Sequence, residues 1–119
     1  MADHNTLGRL GEGLAVDFLL QKGYAILEKN WRFQKAEVDI IASKGEVLAA
    51  VEVKTRSTKE FGDPQDFVRE KKMRLLTLAI NEYVEQNDLD VEVRFDIIAI
   101  TKTKEGLDIE HLEDAFYHF

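Results

Sequence analysis

The chain has 119 residues, enough for one domain with a real core and no need of covalent staples. Its 45% apolar and 33% charged content argues against disorder, and the absence of cysteine excludes disulfides and thiolate metal sites. A net charge of −7 counts against a simple nucleic-acid binder. With no apolar run of membrane-spanning length and no basic-then-apolar leader, a cytoplasmic protein that does not engage a membrane is expected.

A first helix is predicted over about 6–22. Leu7, Leu10, Leu14 and Phe18 form one apolar stripe, widened by Ala15 and Leu19. Asn5 or Thr6 can cap its start, and Gly23 suits the left-handed position past its end. Gly8, Gly11 and Gly13 each cost about 1 kcal/mol relative to alanine in a helix, so their presence points to close backbone packing or a functional approach. Strands are predicted over about 24–33, 37–42 and 47–55, the last two joined by the turn Ser43-Lys44-Gly45-Glu46. Asp63-Pro64 predicts the start of a second helix, whose apolar side holds Val68, Leu75, Leu76, Ala79, Tyr83 and Val84. Strands over about 91–101 and 107–111 complete the order α-β-β-β-α-β-β. The expected fold is α/β, helices flanking a mixed sheet of about five strands, in a single domain over 1–119.

Two of these strands carry unexpected charge. Glu37-Val38-Asp39-Ile40-Ile41 and Glu52-Val53-Lys54 are otherwise apolar, and acids in buried strands are costly unless paired. A hairpin turning on Lys44-Gly45 makes partner numbers sum to 89. Glu37 then faces Glu52, and Asp39 faces Ala50. Side-chain alternation places Glu37, Asp39, Glu52 and Lys54 on one face, with Val38, Ile40, Val51 and Val53 on the other. Ion pairs on a solvated face would account for Glu52 and Lys54 in a generic hairpin. The apolar neighbours Ile41, Leu48 and Ala50 favour instead a partly buried site for Mg²⁺ or Mn²⁺, hard cations that take carboxylate oxygens.

Charge is also unevenly spread. Between Lys54 and Arg74 lie seven basic residues against four acids, whereas Glu82 to the C-terminus holds eleven acids against three bases. A basic stripe on an acidic body can receive a phosphate backbone, although a charge run alone is more often a solvated face.

Asp39 followed by Glu52-x-Lys54 on the next strand resembles the PD-(D/E)xK nuclease superfamily. The surrounding words narrow the likeness: Gly8-Arg9-Leu10-Gly11-Glu12, Gly23-Tyr24, Asn30-Trp31-Arg32, Val51-Glu52-Val53-Lys54-Thr55-Arg56, Phe61-Gly62, Val68 through Lys72, and Arg94-Phe95-Asp96. Their order, from about Gly8 to Ile100, is similar to the poorly characterised bacterial YraN family, which is Holliday junction resolvase-like. The resemblance implies a restriction-endonuclease-like core and a metal-dependent endonuclease acting on DNA, branched DNA included. It implies Asp39 and Glu52 as metal ligands with the Val53 carbonyl, Lys54 as the residue that orients or deprotonates the attacking water, and Glu12 as a completing acid. Glu37 is an outer-sphere acid or a further ligand. Arg56, Lys71, Lys72 and Arg74 are expected nucleic-acid contacts, with Lys72 at the scissile strand. Ala36 stands where the family usually has glycine. A homodimer is among the assemblies the resemblance allows. Two other readings stay open: a non-catalytic nucleic-acid-binding module, or a protein-interaction module, retaining the nuclease fold.

Smaller signals carry bland readings beside functional ones. Trp31 with Arg32 could grip nucleic acid, but a tryptophan alternating with Leu27 and Phe33 is more often core. Arg94 and Asp96 share a strand face and can pair with each other. His4, His111 and His118 lack metal-ligand spacing and receive no role.

Overall fold

A five-stranded mixed sheet with a helix on each face makes up the protein in a computed structural model, which describes residues 2–56 and 70–115, the side chains of 2–7 and of Glu70 excepted. The order is α1 (Ala2–Gln21), β1 (Ala25–Phe33), β2 (Ala36–Lys44), β3 (Val47–Arg56), α2 (Glu70–Gln86), β4 (Glu92–Thr103) and β5 (Gly106–Leu112). This matches the predicted α/β order. The expected start of α2 at Asp63-Pro64, and the motif Phe61-Gly62, lie outside the described residues. Helix α1 begins earlier than predicted, so Asn5 and Thr6 lie within it and do not cap it. Its end follows prediction. Gly23 adopts φ 94°, with Tyr24 N–H donating to the Leu19 carbonyl and Gly23 N–H to the Leu20 carbonyl, so the helix's last carbonyls find donors.

The strands lie in sequence order, β1-β2-β3-β4-β5. All neighbours are antiparallel except β3 and β4, whose parallel pairing requires the crossover that contains α2. One apolar layer joins α1 to the sheet through Ala15, Leu19, Ile40, Ala42, Val51 and Ile98. The other joins α2 through Val38, Ile41, Leu48, Ala50, Leu76 and Ile80. Both faces of β2 and β3 are therefore covered, and any acid on them must be compensated within the fold.

The β2–β3 hairpin differs from its expected register. Lys44 pairs with Val47 and Ile40 with Val51, so partner numbers sum to 91 and the two-residue loop is Gly45-Glu46. The reason is the turn: glycine in the first loop position supplies the positive φ, here 60°, that Lys44 would otherwise have to adopt. The slip of two residues keeps side-chain parity but brings Asp39 across from Glu52 instead of diagonal to it.

A second difference lies at Asp39 itself. Val38 packs on the α2 side and Ile40 on the α1 side, although strict alternation would put them on one face. Pairing of β2 with β3 ends at Ile40–Val51, and the strands diverge there into a fork. Ala36 opens β2 opposite Phe33 without positive φ, so its side chain strains nothing; Gln34 takes the left-handed position of that turn, φ 56°. Trp31 is half-buried, stacked on Phe33 and edge-on to Tyr83, and belongs to the α2-side core.

Candidate active site

The fork in the sheet creates the site. Where β2 leaves β3, the Val53 N–H has lost its ladder partner, and the Asp39 carboxylate takes its place by accepting that hydrogen bond at 2.8 Å. Asp39 is thus held in the plane of the sheet, between the layers, with Glu52 beside it. Glu52 is 6% exposed on the α2 side of β3. Its Oε2 receives Lys72 Nζ at 2.5 Å and has Lys54 Nζ at 3.9 Å. The closer lysine therefore comes from α2, not from the Glu-x-Lys motif.

Helix α1 supplies the third acid. Gly11 lies against β3 so closely that a Cβ there would sit 2.2 Å from Thr55 Cγ2. This contact lowers the α1 backbone onto the strand and brings Glu12 within electrostatic reach of Asp39. Among the described residues Gly8 and Gly13 have no such neighbour, so close packing accounts for the middle glycine. Asn30 Nδ2 donates to Glu12 Oε1 at 3.4 Å, from a left-handed backbone (φ 53°) within β1.

The acids load one another. Burial, then the charge of Glu52, pushes the Asp39 carboxyl up to about 7, against the opposing Val53 hydrogen bond; Glu12 adds to the rise and Lys72 moderates it. A carboxylate pair in this state gains from an added cation. Among the described residues no three Asp, Glu or His side chains converge as a donor set. The Asp39 and Glu52 carboxylates are the donors that could hold Mg²⁺ or Mn²⁺, with water for the rest. Lys72 already places an ammonium on a Glu52 oxygen, where a cation is favourable.

The other predicted residues fall around this centre. Glu37 is half-buried at the start of β2 and pairs with Arg32 at 3.4 Å across β1. Lys71 and Arg74 are exposed on α2, one helical turn from each other and on either side of Lys72 in sequence. Arg56 turns to Thr101, its Nε donating to Oγ1 at 3.2 Å, which ties the ends of β3 and β4. A cleft of about 490 Å³ adjoins Asp39 between the start of β2 and α2.

A separate charge network was not legible as such. Asp96, 0% exposed on β4, accepts Arg94 Nε at 2.9 Å and Nη2 at 2.8 Å, and the Asp114 N–H at 3.0 Å. His111 Nε2 lies 2.8 Å from it, and Lys22 lies 2.7 Å from His111 Nδ1; the ammonium can only donate, so Nε2 carries the imidazole proton toward Asp96. Arg94 also donates to the Tyr24 hydroxyl. Burial alone would raise the Asp96 pKa, but the His111, Arg94 and Asp114 hydrogen bonds outweigh it and hold it below the usual carboxylate range. The network fastens α1, β4, β5 and the stretch after β5 on the face away from Glu52. Arg94-Phe95-Asp96 signalled half of it. His111 lies one strand further on, and spacing alone did not connect it.

The fold and this fork define a class: a small α/β domain whose mixed sheet opens between two strands to hold a carboxylate pair with lysines beside it. Residues 11–100 match the model of uncharacterised protein family UPF0102. The UPF0102 proteins of Flavobacterium psychrophilum and Christiangramia forsetii are each 63% identical over 119 residues, covering 100% of both chains. A UPF0102 protein of Bacteroides fragilis is 44% identical over 117 residues, 98% of this chain and 97% of its own. The chain belongs to the UPF0102, or YraN, family.

Proposed function

We propose that the protein is a metal-dependent nuclease that hydrolyses phosphodiester bonds in DNA, working in the cytoplasm on branched as well as linear substrates. The observation that carries this reading is the Asp39 carboxylate in the β2–β3 fork, fixed by Val53 N–H and loaded by Glu52. When bound, Mg²⁺ or Mn²⁺ would supply Lewis acidity to the phosphoryl group. Asp39 and Glu52 would hold it, and the Val53 N–H fixes Asp39. Lys54, half-buried beside Glu52, orients the attacking water and offsets charge that builds on the phosphoryl oxygens. Glu12 from α1, within electrostatic reach of Asp39, would accept a proton from the attacking water. Lys71, Lys72 and Arg74 on α2 give the backbone of the nucleic acid a basic approach on an otherwise acidic protein. A homodimer would present two such centres to a symmetric junction.

The test is cleavage of duplex, flap and four-way-junction DNA by the purified protein in Mg²⁺ or Mn²⁺. Cleavage that Asp39→Ala and Lys54→Ala abolish without unfolding the protein supports the reading. No cleavage of any substrate, or cleavage indifferent to both changes, refutes it. One observation favours a second reading, a non-catalytic nucleic-acid-binding module: Lys72 Nζ lies 2.5 Å from Glu52 Oε2 and neutralises its charge. Salt-dependent DNA binding with no cleavage would select that reading.

A further inference from the structure

The cleft beside Asp39 has a chemistry different from the acidic fork. Its floor is aliphatic, formed by Leu75 and Leu76 of α2 and by Ala36 at the start of β2. Among the described residues its lining also carries the ammonium groups of Lys35, Lys71 and Lys72, and it includes Asp39. Glu37 also reaches the wall, but its charge is met by Arg32. At about 490 Å³ the space suits one small ligand and is far too small for a helix of nucleic acid.

An intact duplex has nothing to put there. It offers phosphates and groove edges to a protein, while its bases stay stacked in the interior. A nucleotide freed from the stack offers both halves of what the cleft can bind: an apolar heterocycle and flanking phosphates. Among the described lysines of the cleft, Lys35 and Lys71 are exposed at its mouth and stand as the phosphate partners, while Lys72 reaches inward to Glu52.

We propose that this cleft receives one unpaired nucleotide of the DNA, its base on Leu75 and Leu76 and its phosphates at Lys35 and Lys71, immediately beside the phosphodiester presented to Asp39. The inference rests on the hydrolytic reading above and narrows its substrate class. The preferred DNA carries an unpaired nucleotide at a flap, branch or single-stranded end, and continuous duplex is the poorer ligand.

Flap and duplex oligonucleotides of equal length, with 2-aminopurine at the first unpaired position or at a paired one, test this in Ca²⁺ at fixed salt. The flap is expected to bind about tenfold more tightly than the duplex. The unpaired probe should change its fluorescence on binding, and the paired probe should not. Leu75→Trp fills the cleft and should bring the flap-to-duplex ratio to within about twofold. Thermal melting checks that this variant folds; the exposed pair Lys35→Ala/Lys71→Ala leaves the core untouched and should lower the same ratio. Equal affinity for flap and duplex, or a preference that survives both variants, overturns the cleft assignment and leaves the hydrolytic reading standing if duplex is still cut. Failure to bind either DNA overturns both.

Discussion

Replacing Asp39 by asparagine should make the metal-free protein more stable and the metal-loaded protein less so. The Asp39 carboxyl is pushed from its ordinary 3.8 up to about 7, first by burial and then by Glu52. The unfolded chain therefore gives up this proton at a lower pH than the folded one. Stability is lost as pH rises from about 4 through 7, with a ceiling of about 4 kcal/mol above that range. Asparagine keeps an oxygen for the Val53 N–H and leaves Glu52 with Lys72 and Lys54, but it loses the favourable share of Lys72's charge. A net gain of about 1–2 kcal/mol at pH 8 follows, which raises Tm by roughly 3–8 °C. Below pH 4, where the wild-type acid is protonated, the two proteins should melt together. Scans in EDTA and in Mn²⁺ at pH 4 and pH 8 measure this directly. In Mn²⁺ the order at pH 8 should reverse, because only the wild type gains from binding the ion. A variant that is less stable in EDTA at pH 8, or that gains as much from Mn²⁺ as the wild type, would refute the reasoning.

Other substitutions probe the supports of the site. Lys72→Met removes the ammonium 2.5 Å from Glu52 and should raise Mn²⁺ affinity in calorimetric titration, whereas an ammonium essential for holding the ion would lower it. Gly11→Ala should cost about 1–3 kcal/mol in urea unfolding because its Cβ meets Thr55 Cγ2, and Thr55→Ser should recover part of that loss by removing the methyl. Gly13→Ala, with open space at its Cβ, should instead stabilise by about 0.5–1 kcal/mol. Asp96→Asn leaves Arg94 without its buried partner and should cost about 3 kcal/mol at neutral pH. Because the Asp96 pKa is depressed by folding, that stabilisation is complete above the ordinary 3.8 and is lost as pH falls below it. The gap between wild type and variant in acid titration should close only there.

Periodicity and turn residues carried most of the fold. Gly23 at the end of α1 and the alternating strands are local signals, and those elements formed near their expected places. The predicted stripe of α1 is displaced, its buried line running through Gly11, Ala15 and Leu19 while Leu10 is 49% exposed. The acids were legible for a related reason, since Glu52 in an apolar strand is conspicuous without any partner in view. What did not show was whatever depends on one residue's φ or on elements distant in the chain. The register turned on whether Lys44 or Glu46 shares the loop with Gly45, a choice that composition leaves undecided. The fork at Asp39 breaks the alternation that the strand reading relied on, and nothing in Val38-Asp39-Ile40 announces it. Lys72 reaches Glu52 from 20 positions away across the crossover. His111 joins Asp96 only because β5 folds back on β4.

The central claim, that the fork is a metal-dependent hydrolytic centre, meets its most direct test in crystals soaked with Mn²⁺ and measured at the manganese absorption edge. One strong anomalous peak is expected within ligand distance of the Asp39 and Glu52 carboxylates and the Val53 carbonyl, with Lys72 displaced from Glu52. No peak at the fork, with Lys72 still seated on Glu52 at saturating Mn²⁺, would contradict that claim.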